Sequence, residues 1–472
     1  MSSSATASSQ QLASAPLAPR VVIWPRIPLV YAFLHGLWFA LYAFLGKGFA
    51  YAGWPPFYVS EFLLGLALIA LLATRKLGSL ILTPLGGILS CFVLWQVACM
   101  APYLETFGFD ALRDSVIWGY SLFGLTTAAL IVRLPRSLEI SLQRYGRFAR
   151  LYLFLGPATW LATLYLHDWL PTWPGTNTSV PLIKGDEYGV HLAGVFAFSL
   201  LGLRRSRPWW ALVIMFDILL GMSVRSGLLA FLCAAALVLF LRPRIGKIAI
   251  LATASSILVL AMVVFDVRFT PPGAARELSA EVLSRSLVSL VSDSEHSDFE
   301  GTKEWRLKWW RTIGNYTFEG PYFWTGKGYG VNLAESDGFQ VGTQEEPLRS
   351  PHNSHLTFLA RSGVPGLVLW TLLQGTWATS ILRSYLRARK LKLPNWSGLF
   401  AWLLTYWIAF MVAASFDVFL EGPMAGIPFW TIFGLGWGSH ILFRSQLDGN
   451  SSSAAAAPPV LWRDRPAEYV VV

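Results

Sequence analysis

The stretch RSYLRARKLKLPNWSGLFAWLLTYWIAFMVAAS at 383–415 decides the fold. From Gly398 to Ser415 it carries no charged residue, close to the roughly 20 apolar residues a helix needs to cross a bilayer. Arg383, Arg387, Arg389, Lys390 and Lys392 crowd the connection just before it. An apolar block behind a short basic loop is the signature of a membrane helix whose basic flank stays in the cytoplasm.

The same unit recurs along the chain. Charged residues make up 14% of the sequence, where a soluble domain carries about 25%, and the deficit falls in blocks. Apolar cores lie near 28–46, 57–73, 80–101, 115–132, 148–166, 189–203, 208–223, 226–241, 247–265, 364–382, 398–415 and 424–442. The pattern predicts an all-α, polytopic membrane bundle of about twelve helices. Basic residues mark alternate loops: Arg20 and Arg26, Arg75 and Lys76, Arg133 to Arg147, Arg204 to Arg207, Arg242 to Lys247, the 383–392 cluster and Arg444. Both termini are then cytoplasmic. The expected organisation is a disordered N-terminus (1–27), a first bundle of about nine helices (28–265), a long periplasmic loop (266–355), three last helices (356–443) and a disordered tail (444–472).

The net charge of +10 does not point to nucleic acid, because the basic residues sit between apolar blocks and the long loop is net acidic. Cys91, Cys99 and Cys233 all fall inside apolar blocks, so no disulfide framework is expected. The 22 tryptophans suit membrane–water boundaries.

Within the long loop, Glu277 to Val291 carries Leu278, Val282, Leu283, Leu287 and Leu290 at helical spacing. Glu304 to Thr317 carries Trp305, Trp309, Ile313 and Tyr316 on one face. Both are expected to be helices lying on the membrane surface, separated by an exposed acidic segment from Ser292 to Glu300.

Four features carry chemical interest. Arg225, in Ser223-Val224-Arg225-Ser226-Gly227, lies between two closely spaced spans and either snorkels to the interface or holds an anion. Arg306 shares a helix face with Trp309 and is either solvated or functional; Lys308 and Arg311 lie nearby. Gly326, Gly328 and Gly330 in GKGYG either form a tight turn or bring backbone amides to an anionic or sugar ligand. In Ser350-Pro351-His352-Asn353-Ser354-His355, His352 suits a general base near neutral pH, with Asn353 orienting it or bonding a sugar hydroxyl; a structural histidine pair and a shared metal are the rival readings.

The ordered set of Gly48-Phe49-Ala50-Tyr51, Pro55-Pro56, Glu61, Ser-x-Arg-Ser-Gly at 223–227, Arg306-x-x-Trp309, the 326–330 glycines, Pro351-His352-Asn353, Gly363-x-x-Gly366 and Phe416-Asp417-x-x-x-Glu421-Gly422-Pro423 resembles the O-antigen ligase family with its related O-antigen and exopolysaccharide polymerases. The resemblance implies an inner-membrane glycosyltransferase. Its donor would be a polyprenyl-diphosphate-linked glycan and its acceptor a hydroxyl of lipid A–core or another glycan, joined on the periplasmic face without metal, nucleotide sugar or other cofactor. It further implies that Arg225 and Arg306 hold the diphosphate and that His352 takes the acceptor proton. Asn353, Gly326, Gly328, Gly330 and Arg311 are the accompanying substrate-binding candidates. A polymerase extending lipid-linked repeats uses the same chemistry. A metal-dependent transferase is disfavoured by a first outer loop, about 47–56, without Asp or Glu, while Asp217 in an apolar span is the best argument for a transporter or flippase.

The charge alternation makes a test of orientation. In a background lacking the three native cysteines, an impermeant thiol reagent applied from outside is expected to label a cysteine placed at Ser297 and to miss one at Lys390; the opposite pattern overturns the topology.

Overall fold

The computed structural model describes residues 26–54, 57–174, 176, 178–202, 224–241, 260–261, 264–265, 268–269, 278–279, 297–340 and 348–449. Its helices are α1 (Arg26–Leu45), α2 (Val59–Thr74), α3 (Pro84–Met100), α4 (Phe109–Gly119), α5 (Ser121–Arg133), α6 (Arg136–Tyr165), α7 (Gly185–Gly202), α8 (Arg225–Leu241), α9 (Ser297–Gly314), α10 (Ser354–Lys390), α11 (Pro394–Ala414) and α12 (Pro423–Leu447), with shorter turns between them. Five helical stretches among the described residues are long and apolar enough to cross a membrane: Ile27–Leu45, Pro84–Phe107, Phe109–Arg133, Ser354–Lys390 and Pro394–Ala414. The expected span at 208–223 and nearly all of that at 247–265 lie outside the described residues.

Local chemistry sets the helix ends. Thr83 caps α3, accepting from the Gly86 amide at 3.1 Å, with Pro84 preset for the first turn. Glu61 closes the start of α2 by accepting from the Tyr58 amide at 2.8 Å. Glu61, quoted above for the family resemblance, therefore has a structural task.

The helices pack in two groups. α12 lies along α5, which in turn meets α2, while α7, α8 and α11 form a mutually packed trio. α10 joins the two by packing on α3, α11 and α12. Outward faces carry exposed Leu29, Phe33, Phe62, Leu94, Phe154 and Leu372, the surface a lipid-facing helix presents. The tryptophans depart from the boundary expectation. Trp370, Trp377, Trp396, Trp402, Trp430 and Trp437 are fully buried inside the bundle. Several indole N–H groups reach across helices: Trp377 donates to the Phe433 carbonyl at 2.7 Å, Trp402 to that of Gly194 at 3.1 Å, and Trp407 to Gln374 Oε1 at 2.9 Å. A buried indole is tolerated where its donor finds a partner, and these bonds lock helix to helix.

The long-loop expectations divide. α9 covers most of the Trp-rich segment, and a π-turn at Asn315–Glu319 ends it. Its apolar face does not meet the membrane surface: Trp309 and Ile313 are buried against Leu333, Ala334, Leu359 and Ala360, and Trp309 stacks on Phe339 at 5.3 Å. The stripe read as membrane-facing is a protein core. Ser297–Glu300, expected in an exposed acidic segment, form the first turn of α9. Of Glu277–Val291 only Leu278–Ser279 is described, and it pairs antiparallel with Arg268–Phe269 rather than continuing a helix.

The tightest helix contact is between α5 and α12. A Cβ on Gly434 would stand 2.1 Å from the Gly124 carbonyl oxygen, so only hydrogen fits. Gly434→Ala must push the helices apart. It is expected to cost about 1–3 kcal/mol, read as a lower unfolding midpoint of the detergent-purified protein, whereas Gly375→Ala, with open space around its Cα, is expected to be neutral.

Candidate functional site

Three ends of helices meet at one end of the bundle: the loop before α10, the loop between α11 and α12, and the start of α7. The centre is Asp417. Its Oδ1 lies 2.9 Å from His352 Nδ1 and accepts from the Val418 amide at 2.8 Å; its Oδ2 accepts from Lys184 Nζ at 3.0 Å. Burial by itself would raise the Asp417 carboxyl, but the His352 bond and the Lys184 charge outweigh it and hold the group well below the usual carboxylate range. An ionised carboxylate can only accept, so in neutral His352 the proton sits on Nδ1 and the lone pair on Nε2. That is the tautomer a base needs.

His352 is fixed from several sides. Its backbone has φ 53°, a left-handed conformation uncommon for a non-glycine residue. The next residue, Asn353, caps α10, its Oδ1 accepting from the amides of His355 and Leu356, both at 3.0 Å. The Trp310 indole donates to the Pro351 carbonyl at 2.8 Å, clamping α9 onto this loop, and Trp305 meets the His352 ring edge-on at 6.3 Å. The oxygen of Asn353 is thus committed to the helix cap. His355 is structural: Nδ1 accepts from the Trp370 indole at 3.0 Å, and Nε2 faces the Met411 carbonyl at 3.3 Å. With both ring nitrogens committed, it is not arranged to share a metal with His352.

Arg306 projects from α9 to the same place. Its Nη1 donates to the Phe416 carbonyl at 3.0 Å, next to Asp417, while its Nε is buried without a hydrogen-bond partner. Burial lowers the pKa of the guanidinium, and the nearby Asp417 and Asp186 partly offset this. A buried N–H with nothing to bond is costly and marks a site that another group can complete. Arg225 begins α8, half-buried; Val224 beside it packs on Gly185, so this turn abuts the segment Lys184–Glu187. There Asp186 and Glu187 are buried, and the Asp186 carboxyl lies beside that of Asp417. Arg311 is exposed, five positions and so about 140° around α9 from Arg306.

The glycine run is built into the frame. Gly326, Gly328 and Gly330 have φ of 63°, 77° and 97°. The amides of Gly326, Lys327 and Gly328 donate to the carbonyls of Tyr322, Ala360 and Arg361, at 3.1, 2.7 and 3.1 Å. The Gly330 amide donates to Asp114 Oδ2 at 3.0 Å. These amides are used by the protein itself. Gly363, at φ 68°, kinks α10 where the backbone of Phe323 and Trp324 crosses it, too close for a Cβ. Asp114 then gathers the surroundings, accepting from Arg349 and from Arg361, each at 3.0 Å. Lys327 is held by Asp337 and Ser336 and lies over the Tyr316 ring.

The structure therefore brings His352 and Arg306 together and sets the start of α8 beside the Lys184–Glu187 segment. It leaves Arg311 apart and shows Asn353 and the glycines in structural bonds. Sequence reasoning passed over Lys184, Asp186 and Asp114 and gave Asp417 no role. The signal was ionisable residues at the mouths of apolar spans, which are costly unless partnered.

The fold is that of a multi-pass helical membrane protein whose polar cluster lies at the helix ends. Residues 210–371 match the family model described as O-antigen ligase. The matched stretch includes Arg225, Arg306, the glycine run and His352, but neither Lys184 nor Asp417. No curated protein matches the chain.

The Asp114 hub yields a stability test. Asp114 and Arg361 are nearly inaccessible, and removing one partner of such a pair costs about 3–5 kcal/mol. Asp114→Asn is expected to lower the unfolding midpoint sharply, while Asp110→Asn, at a half-exposed position, is expected to change it little. Equal effects overturn the hub.

Proposed function

We propose that the protein transfers a glycan from a polyprenyl-diphosphate donor to an acceptor hydroxyl, on lipid A–core or another surface glycan, at the periplasmic face of the inner membrane and without a metal. The observation that carries this reading is the His352–Asp417 pair with the incompletely bonded Arg306 guanidinium beside it. The family match over 210–371 supports ligase-like or polymerase-like chemistry.

In this reading the acceptor oxygen attacks the anomeric carbon as the bond from that carbon to the diphosphate oxygen breaks. The acceptor proton passes to His352 Nε2, and the electron pair leaves with the polyprenyl diphosphate. Asp417 stabilises the imidazolium that forms, as a carboxylate does behind a histidine base. Arg306 and Arg225 bind the diphosphate, their planar forks suiting two phosphate oxygens at once, and the interaction strengthens as charge develops. Lys184 balances the buried acids so that Asp417 stays ionised. Gly326, Gly328, Gly330 and Asn353 serve by holding the His352 loop in place, and Arg311 is left to the outer rim of the donor glycan. A polymerase would share every step and differ only in its acceptor.

Two experiments test this. Deleting the gene and analysing surface glycans separates the acceptors: long chains stranded on the lipid carrier indicate a ligase, single repeats a polymerase, and an unchanged profile overturns both. At matched membrane abundance, His352→Ala is expected to lose about 10²–10⁴-fold in turnover yet bind donor normally. Asp417→Asn should fall in the same class, and Arg306→Gln or Arg225→Lys should weaken donor binding itself. Normal turnover in His352→Ala removes it as the base.

A further inference from the structure

A second polar site lies at the far ends of α10 and α12. A cleft of about 690 Å³ opens there between the C-terminal turns of these two helices and the N-terminus of α3. Arg383, Arg387 and Arg444 line it, together with His440 and one acid, Asp448, at its exposed rim. Its inner wall is apolar, built by Trp377, Ile381 and Trp437.

We propose that this cleft binds the phosphate headgroup of an anionic membrane lipid, with the acyl chains running along its apolar wall. Three arginines face one carboxylate, and among the described residues none of the three forms an ion pair. Arg383, Arg387 and Arg444 are exposed at the cleft, where their excess of positive charge attracts an anion. The first turn of α3, capped by Thr83, adds its positive end to the same cleft. The position selects a lipid over a soluble ion. The cleft lies about 40 Å along α10 from His352, roughly the thickness of a bilayer with its headgroups, and Ile81 and Leu82, which directly precede the cleft-lining Thr83, are exposed. His440 also lines the cleft, its Nδ1 hydrogen-bonded to Ser384 Oγ at 2.7 Å. Nothing in the proposed transfer chemistry uses these residues, so the site stands whether or not that reading does.

Native mass spectrometry of the full-length, detergent-purified protein titrated with phosphatidylglycerol or phosphatidylcholine tests it. The expected result is saturable binding of phosphatidylglycerol, with phosphatidylcholine much weaker. An arginine beside an anionic lipid is worth about a fivefold gain in binding. Arg387→Gln and Arg444→Gln should each cost that factor, and Arg389→Gln, whose side chain lies over Tyr385 outside the cleft, should cost nothing. Ser380→Trp fills the cleft, keeps every charge and should also expel the lipid. Equal binding of the two lipids by the wild type, a step that needs no variant, overturns the proposal. So does unchanged binding in correctly folded Arg387→Gln or Ser380→Trp. Displacement of the lipid by millimolar inorganic phosphate would show a free-phosphate site and overturn the lipid assignment.

Discussion

Asp114 is the carboxylate that ties together the end of the molecule carrying His352. It sits on α4, yet it accepts from Arg349 just before His352, from Arg361 on the second turn of α10, and from the Gly330 amide. Three segments of the long loop and the helix after it are thereby tied to the first half of the bundle. The tie works because Asp114 is nearly sealed from solvent, where a charge must be fully bonded and a bonded charge has few alternative geometries. The left-handed glycines follow from it: to bring the Gly330 amide to Asp114 the chain has to turn against Tyr103 and Phe107, with no room for a Cβ.

On that frame His352 and its neighbours are placed by opposed charge. Asp417 receives Lys184 on one oxygen and His352 on the other, while Asp186 lies close by. Two neighbouring buried carboxylates favour a shared proton: burial and the Asp417 charge raise the Asp186 carboxyl, while His352 and Lys184 hold Asp417 in its ionised form. The orientation of His352 is then a consequence of an ionised Asp417. Arg306 is held by only a neutral carbonyl, and its buried Nε lacks even that. Arg349 and Arg361 differ in being ion-paired with Asp114, whereas Arg306 forms no ion pair among the described residues.

Much of this was legible in the sequence. Apolar blocks of span length gave the helices, because burial in lipid leaves no other backbone solution. His352 and Arg306 stood out by residue type and context. What was not legible depends on contacts distant in sequence. The Trp305–Trp309–Ile313 stripe has the periodicity of a membrane-lying helix, and periodicity cannot say whether lipid or Leu333 and Leu359 cover it. The glycine run reads either as a tight turn or as a cradle for an anionic or sugar ligand, and only the bonds of its amides to Ala360, Arg361 and Asp114 show it built into the frame. Asn353 resembles a sugar ligand and acts as a helix cap because a helix begins directly after it.

The family match ends at residue 371, and the physical unit does not. Within 210–371 lie a histidine without its carboxylate and an arginine without the carbonyl that orients it; both partners, Asp417 and Phe416, come from the turn after α11. Lys184 and Asp114 come from before the match. A fragment confined to the matched residues would leave the His352 tautomer undefined and Arg361 facing an empty position. The last two helices and the first half of the bundle therefore supply the partners that fix His352, Arg306 and Arg361.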